Sequence, residues 1–297
     1  MQALQQAIEG AISDAVGRPF GPARREGAGG GCINDAWRLD DGKERFFVKV
    51  NRPGRGDMFA AEAEALKVLD DAGCLRAPRP IAWGERPEGA FLAMEHLDLT
   101  PAGAESGYRR LGEGLAELHC VTADAHGWSG DNYIGSTPQP NGWEREWTDF
   151  FGKNRLRYQL RLAAERGGKR LLDPGERLAE GLDALFDGYS PAPSLLHGDL
   201  WGGNAAFLAG GGGTPVIYDP AAYYGDRETD LAMTELFGGF HPAFYEAYRS
   251  QWPLDPGYPV RRDLYQLYHI LNHYNLFGGS YLRQAQSGIE RLLAELR

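Results

Sequence analysis

The residues with the clearest capacity for chemistry lie in one stretch, HGDLWGGN, at positions 197–204. Phosphoryl transfer requires a carboxylate that orients the attacking hydroxyl and accepts its proton, and an oxygen ligand close by for the Mg²⁺ that neutralises the phosphates. Asp199 and Asn204, five residues apart, have the side-chain types for these two roles. An HxD pair alone is a weak signal, because any turn can contain His and Asp.

A second carboxylate follows on the next predicted hairpin. Residues 215–220, PVIYDP, are typical of a short buried strand that ends in Asp219, the predicted second Mg²⁺ ligand. The glycines at 210–213 precede a strand rather than a helix, so they predict a flexible turn between two short strands and not a phosphate loop. The ordered set HxDxxxxN, strand and Asp indicates a phosphotransferase much more strongly than HxD alone.

Lys49 stands inside an apolar strand, RFFVKV at 45–50, on the same face as Phe47. Lysine is rarely buried without a partner, so a carboxylate is expected beside it. A helix predicted over residues 58–69 places Glu62 on or beside its apolar face. The sequence therefore predicts an ion pair between Lys49 and Glu62, with Lys49 reaching the phosphates of a nucleotide.

A glycine-rich hairpin precedes that strand, with Gly29 and Gly31 close to Cys32 and Ile33. Neighbouring glycines alone indicate only a mobile turn, but their position one hairpin before Lys49 favours a nucleotide-binding loop. An accessible loop whose amides face an anion promotes thiolate character. We hypothesise that oxidation of Cys32 modulates activity; the alternative is a small loop residue without a regulatory role.

The elements that must position these residues form two lobes. A first amphipathic helix over 1–16, strands within 22–50, the helix over 58–69 and strands near 81–83 and 90–95 predict a small lobe of five antiparallel strands with one main helix. The remainder is mostly helical, with helices predicted over 108–121, 143–166, 176–186, 230–237, 244–251, 262–276 and 284–297. The sequence predicts an α+β, bilobal protein.

The composition changes at 95–98, where the hinge between the lobes is predicted. This divides the chain into a nucleotide-binding lobe, 1–97, and a catalytic and substrate-binding lobe, 98–297. Backbone groups of the hinge would recognise adenine, because an exposed strand edge offers one donor and one acceptor whatever its side chains.

Composition narrows the possible partners. With 297 residues, 42% hydrophobic content and a net charge of −10, the chain is a well-packed acidic protein, which argues against nucleic-acid binding and against a polybasic membrane surface. Its three cysteines show neither disulfide nor zinc spacing, and its first helix carries Glu9 and Asp14 rather than a basic signal-peptide region. No apolar run approaches the roughly 20 residues of a membrane span. A cytoplasmic protein is expected.

Seven segments resemble, in order, the fructosamine kinase (ketosamine 3-kinase) family, which has a protein-kinase-like fold related to aminoglycoside and choline kinases. They are GAGGGCIND, FFVKVN, MFAAEAEAL, FLAMEHL, LLHGDLWGGN, VIYDPAAYYGDRETDLAMTELFGGF and LYQLYHILNHYNLFGG. HGDLW with YDPA, and the YYGDRE…FGGF segment, are specific to this family. The resemblance implies ATP-dependent, Mg²⁺-dependent phosphorylation of the sugar C3 hydroxyl of ketosamines, after which the adduct loses phosphate and frees the amine or protein.

The resemblance also assigns roles to individual residues. It implies that Asp199 is the catalytic base, that Asn204 and Asp219 bind Mg²⁺, and that Lys49, paired with Glu62, binds phosphate. The remaining nucleotide-binding positions it implies, in the glycine-rich loop and at the adenine hinge, are Gly29, Gly31, Cys32, Ile33, Met94, Glu95 and Leu97.

Two aromatic residues are candidates for the sugar site. Trp201 follows the predicted base and serves either ordinary packing or stacking on a sugar ring, and its place in the family motif favours stacking. His269 and His273 are four apart on a helix, but Ile270 replaces the Glu of a HExxH zinc motif. One of them, taken as His273, is expected to line the sugar pocket, with core packing as the alternative. Asp230 is expected to cap a helix and brace the catalytic loop.

Two other functions remain open from the sequence. One is a different small-molecule kinase of the same fold, acting on an aminoglycoside, choline or a sugar; the segment 223–240 argues against it. The other is an inactive nucleotide-binding module, which the complete set of candidate residues disfavours. The sequence ranks neither ribulosamines against fructosamines nor free adducts against glycated proteins, and it leaves both a monomer and a dimer open.

Overall fold

The computed structural model describes residues 1–29 and 33–296. Its N-terminal lobe is built on a five-stranded antiparallel sheet in the order β1-β2-β3-β5-β4. The strands are β1 (Arg24–Gly27), β2 (Asp35–Asp40), β3 (Arg45–Asn51), β4 (Pro80–Arg86) and β5 (Gly89–Glu95). This confirms the predicted five-stranded lobe. β3, which carries Lys49, lies at the centre of the sheet.

Two helices cover the two faces of this sheet. In α1 (Gln2–Val16) the buried residues Leu4, Ile8 and Ile12 recur every four positions and pack on the face that carries Val48. α2 (Gly56–Asp71) packs on the opposite face and carries Glu62. The alternation of side chains along β3 therefore directs Lys49 towards α2. The first predicted helix is therefore part of the core of this lobe.

The chain passes from this sheet to the larger lobe between β5, which ends at Glu95, and β6 (Leu99–Thr100). β6 pairs with β10 (Ala205–Leu208), which also pairs with β11 (Pro215–Ile217). Two further strand pairs were not expected from the sequence: β7 (Asn132–Ile134) with β8 (Thr137–Gln139), and β9 (Ser194–Leu196) with β12 (Tyr223–Gly225). The segment predicted as a hinge thus connects two separate sheets.

The larger lobe is mostly helical, as predicted. Its α-helices are α3 (Glu105–His119), α4 (Trp147–Phe151), α5 (Arg157–Ala163), α6 (Leu172–Glu180), α7 (Glu228–Leu236), α8 (Pro242–Gln251), α9 (Tyr258–Phe277) and α10 (Tyr281–Glu295). Across the described ranges, 1–29 and 33–296, no helix is both long and apolar enough to cross a membrane.

Two predicted helices need correction. The segment 143–166 is not one α-helix, because the π-helical stretches Gly152–Leu156 and Ala164–Gly168 interrupt it and Gly167 has φ 95°. The segment 176–186 divides into the end of α6 and a 3₁₀ turn, Leu182–Phe186. Apolar periodicity alone does not distinguish these tighter and wider windings from an α-helix.

A buried ion pair fixes α7 against α9. Arg261 Nε donates to Glu228 Oε2 at 2.8 Å, and both side chains are almost completely buried. α9 carries His269 and His273, whereas α7 carries Asp230. The pair therefore holds together the two helices that back the HGDLWGGN stretch.

Candidate active site

A cavity of about 470 Å³ lies between the two lobes. The smaller lobe contributes side chains of β3 and α2, and the larger lobe contributes the 199–204 loop, the β7 hairpin and the end of α9. Seven residues proposed from the sequence for catalysis or for metal, nucleotide or sugar binding line this one space together with Glu62: Ile33, Lys49, Asp199, Trp201, Asn204, Asp219 and His273. The fold therefore brings together residues that are far apart in the chain.

Asp199 and Asn204 lie on the connection between β9 and β10. Asn204 Nδ2 donates to the main-chain oxygen of Asp199 at 2.8 Å and to its Oδ2 at 3.2 Å. Burial and the nearby Asp219 carboxylate raise the pKa of Asp199 to about 7. A carboxyl group with this pKa exchanges a proton readily near neutral pH.

The loop reaches this shape because a glycine precedes Asp199. Gly198 has φ 82°, and a Cβ at this position would lie 2.1 Å from the main-chain oxygen of Ala221. His197 fills the space beneath the loop: its Nε2 donates to Tyr218 O at 3.0 Å, and its Nδ1 accepts from Asp199 N at 3.2 Å. Glycine is thus required at position 198 because the main chain of Ala221 lies so close to it.

Asp230 braces the same loop from α7. Its carboxylate accepts from His197 N at 2.7 Å and from Gly198 N at 2.8 Å, and His119 Nε2 lies 3.3 Å away. Burial alone would raise the pKa of Asp230, but these donors outweigh it and lower the pKa. The predicted brace is present. The predicted helix cap is wrong, because α7 begins at Glu228 and Asp230 lies within its first turn.

Lys49 joins two carboxylates from different lobes. Its Nζ lies 2.5 Å from Glu62 Oε1 and 2.5 Å from Asp219 Oδ1, so the ion pair expected with Glu62 is formed and a second one is added. Burial opposes the charge on Lys49, but the carboxylates of Asp219 and Glu62 outweigh it and raise the pKa of Lys49. Asp219 has φ 58°, a left-handed conformation that Asp tolerates better than most residues. This conformation helps to direct its carboxylate into the cavity.

Of the other described nucleotide-binding candidates, most do not line the cavity. Gly31 and Cys32 lie outside the described residues; of their neighbours, Ile33 lines the cavity and Gly29 follows β1. The hinge candidates lie at and after the end of β5, beyond the side chains that line the cavity: Met94, Glu95 and Leu97. Glu95 N donates to Arg79 O at 2.9 Å, and Glu95 Oε1 accepts from Arg79 N at 2.7 Å. The Glu95 amide is therefore already paired.

The aromatic candidates come from the larger lobe, Trp201 from the loop between β9 and β10 and His273 from α9. The Trp201 side chain is 37% exposed, and its ring covers Gly203, where a Cβ would lie 2.3 Å from Trp201 Cζ2. His273 Nδ1 donates to the main-chain oxygen of His269 at 2.8 Å, which leaves Nε2 as an acceptor. Burial lowers the pKa of His273, so the ring is neutral at pH 7.

His269 is buried and points to a different place from His273. Its Nδ1 lies 4.0 Å from Asp199 Oδ1 and has no hydrogen-bond partner in the described part of the chain. Burial lowers the pKa of His269 to about 3. The two histidines therefore do not converge as a metal pair, and the described residues contain no cluster of three or more His, Cys, Asp or Glu side chains suited to a metal.

A Mg²⁺ ion bound together with a nucleotide needs fewer protein ligands than that. Mg²⁺ is usually held by one or two protein oxygens while phosphates and water complete its coordination. Asn204 directs its amide nitrogen to Asp199, which leaves its carbonyl oxygen available, and Asp219 uses one oxygen for Lys49 and retains the other. This pair of hard oxygen donors fits Mg²⁺.

Sequence reasoning missed several residues that line the cavity. Asn132 is one: its Nδ2 donates to Ala222 O at 2.8 Å, and its Oδ1 accepts from Gln139 and Asn141. No motif marks it, since its role depends on a hairpin that the sequence did not predict. Asn272 and Phe277, in contrast, lie in the HILNHYNLFGG segment already associated with the family.

A five-stranded lobe above a helical lobe, with a lysine–glutamate pair facing an HxDxxxxN loop and a second aspartate, defines the class of protein-kinase-like phosphotransferases. The fructosamine kinase family profile matches residues 4–295, and the chain belongs to this family. It is therefore a kinase.

Individual relatives agree with this assignment. A Synechocystis protein named "Probable ketoamine kinase" is 47% identical over 289 residues, covering 97% of this chain and 96% of the relative. The chloroplastic protein-ribulosamine 3-kinase of Arabidopsis thaliana is 42% identical over 273 residues, covering 91% and 82%. The crystal structure of a "Putative fructosamine-3-kinase" from Haemophilus somnus matches with a TM-score of 0.88 at 31% identity, covering 96% of both chains.

A more distant relative shares the fold. The crystal structure of a thermostable mutant of an aminoglycoside phosphotransferase matches with a TM-score of 0.57 at 17% identity, covering 97% of this chain and 98% of that one. This likeness shows a shared fold and confirms the predicted relation to aminoglycoside kinases at that level.

Proposed function

We propose that this kinase transfers the γ-phosphoryl group of ATP to the sugar C3 hydroxyl of a ketosamine, either a ribulosamine or a fructosamine. The observation that carries the proposal is the convergence of Asp199, Asn204, Asp219 and Lys49 on one cavity. Membership of the fructosamine kinase family, and relatives named for ketoamines and protein-ribulosamines, support the acceptor class.

Asp199 is the proposed base. The sugar C3 hydroxyl would donate a hydrogen bond to its carboxylate, which orients the oxygen towards the γ-phosphorus and takes the proton as the new O–P bond forms. The raised pKa of Asp199 suits this task. A carboxylate that titrates near the working pH is a stronger base than an ordinary carboxylate and is still partly ionised. Asp230 contributes indirectly by fixing the backbone on which Asp199 stands.

A second set of residues would hold the nucleotide. Lys49, oriented by Glu62, is the proposed phosphate ligand. Gly29, Gly31, Cys32 and Ile33 are the proposed nucleotide-binding loop. Asn204 and Asp219 would hold Mg²⁺, which neutralises charge on the phosphates when bound. Met94, Glu95 and Leu97 are the proposed adenine hinge; because the Glu95 amide is paired with Arg79, the main chain at 96–97 is the better candidate for adenine recognition.

Trp201 and His273 are the proposed sugar ligands. The exposed indole face suits the C–H face of a sugar, and neutral His273 offers Nε2 to a hydroxyl donor. The phosphorylated adduct would then eliminate inorganic phosphate and free the amine, so the overall effect is deglycation of small amines or proteins. We also propose 1–97 and 98–297 as the two functional lobes.

One assay tests the proposal. ATP consumption is measured with ribulose- and fructose-derived ketosamines of the same amine, an aminoglycoside and choline. Turnover of a ketosamine, with no comparable turnover of the other two, is expected. Phosphorylation of the aminoglycoside or choline alone would contradict the proposed substrate class while leaving the kinase assignment intact.

A further inference from the structure

Five aromatic side chains form a connected group at the sugar side of the cavity. His273 lies at its centre, with ring centroids 4.8 Å from Phe237, 5.7 Å from Phe277 and 5.2 Å from Tyr281. Trp201 contacts Phe237 edge-on at 5.9 Å. All five rings line the cavity. We call this group the aromatic rim.

Two of the five rings of the rim are exposed, unlike the aromatic side chains of the core. Phe277 is 55% exposed at the end of α9, and Trp201 is 37% exposed on the catalytic loop. The other three rings, those of Phe237, His273 and Tyr281, are half-buried. Exposed aromatic groups of this kind mark binding surfaces more often than isolated apolar residues do.

The electrostatics of the rim suit a cation. Among the described residues that line the cavity, Lys49 is the sole Lys or Arg, and two carboxylates engage it. His273 is neutral because burial lowers its pKa. The negative faces of aromatic rings attract an alkylammonium group, and the net charge of −10 on the whole chain adds to this attraction.

A ketosamine carries such a group. Its sugar is attached to a secondary amine that is protonated at neutral pH, since simple alkylammonium groups titrate near pH ~10. With the C3 hydroxyl at Asp199, the amine and its alkyl chain must leave the cavity on the sugar side. We infer that the aromatic rim binds this amine-bearing end, and that it selects adducts of long alkylamines, such as a lysine side chain of a glycated protein. This inference rests on the proposed function and extends it from the sugar to the amine.

Two acceptors with the same sugar isolate the contribution of the rim. One is the ketosamine of methylamine, and the other is the ketosamine of Nα-acetyl-lysine amide; both carry the secondary ammonium, and only the second has a long alkyl chain. The readout is the ratio of kcat/KM for the lysine adduct to that for the methylamine adduct. The wild type is expected to prefer the lysine adduct.

Phe277 is the most suitable position to change, because an exposed side chain contributes little to folding. Phe277→Ala is expected to lower the ratio about tenfold, mainly through KM for the lysine adduct. Phe277→Tyr keeps the ring and is expected to keep the ratio. Trp83→Ala removes an aromatic side chain that is 48% exposed on β4, outside the cavity, and is the matched control.

The outcomes separate the inference from the proposed function. A wild-type ratio near one, or a ratio that Phe277→Ala leaves unchanged, overturns the rim as the amine site even though ketosamines are phosphorylated. Failure of the wild type on both acceptors overturns the proposed function, and the inference with it. If Phe277→Ala lowers the melting temperature, Phe277→Leu, which keeps the apolar bulk and removes the ring, supplies the same test.

Discussion

Asp230→Asn tests how the catalytic loop is held. The Asp230 carboxylate accepts two main-chain N–H groups, from His197 and Gly198, with one oxygen each. An Asn at this position has the same shape but only one acceptor oxygen. Its NH₂ group would face the second main-chain N–H, so that two donors meet inside the protein.

The magnitude follows from these contacts. One buried N–H loses its acceptor, which costs about 1–3 kcal/mol, and the other exchanges a charged acceptor for a neutral one, which costs about 1 kcal/mol more. The Asp230 side chain is 1% exposed, so water does not replace the lost partner. Asp230→Asn should therefore lower the free energy of unfolding by about 3 kcal/mol and displace Asp199, with a fall in kcat.

Urea unfolding and steady-state kinetics measure the two effects separately. The matched control is Asp183→Asn, which makes the same change at an exposed carboxylate in the same lobe. An Asp230→Asn protein whose free energy of unfolding and kcat both equal those of the control would refute the brace. A stable protein with reduced kcat would show that the brace acts on geometry rather than on stability.

Three further predictions concern other parts of the molecule. Gly198→Ala should abolish activity and destabilise the protein, because its Cβ would clash with the carbonyl oxygen of Ala221. Gly202→Ala, with no atom within 4 Å of the added Cβ, should leave the melting temperature unchanged. Equal melting temperatures for the two variants would contradict the close approach at Gly198. Burial lowers the pKa of His126 to about 4. Because the pKa of histidine in the unfolded chain is about 6.5, the unfolded state binds a proton below that pH that the folded state does not bind. The free energy of unfolding should therefore fall by up to about 3 kcal/mol as the pH drops from 6.5 to 4. Chemical unfolding of His126→Phe across this range should show a shallower pH dependence than the wild type, and an identical slope would count against the buried neutral ring. Lys49→Met should lower kcat/KM for ATP about 100-fold, since one buried cation is worth several kcal/mol to bound phosphates, while the exposed Lys43→Met should not change it; equal kinetics for the two variants would exclude a phosphate-binding role.

The sequence predicted those parts of the site in which the chemistry of one residue requires a particular partner. A lysine in an apolar strand requires a carboxylate, and the helical period placed Glu62 on the correct face; the structure forms this pair. The second ion pair of Lys49, with Asp219, could not be predicted, because it joins residues 170 positions apart and depends on how the lobes face each other.

The unpredicted elements are short and lack periodicity. β9 and β12 have three residues each, and their pairing depends on the chain reversal around the catalytic loop rather than on local propensity. Asn132 was not predicted as a site residue because it lies in a hairpin of three-residue strands, which are too short to show a periodic pattern. The interruptions of the 143–166 helix are π-helical stretches, which apolar periodicity does not distinguish from an α-helix.

The position of the transferred phosphate tests the central claim most directly. The product formed from ATP and a ketosamine is identified by ³¹P and ¹H NMR, with wild type, Asp199→Asn and the exposed control Asp124→Asn. Phosphate on the C3 oxygen is predicted, with the rate reduced about 10³-fold in Asp199→Asn and unchanged in Asp124→Asn. Phosphate on a different oxygen, or an Asp199→Asn rate within tenfold of the wild type, would contradict the account.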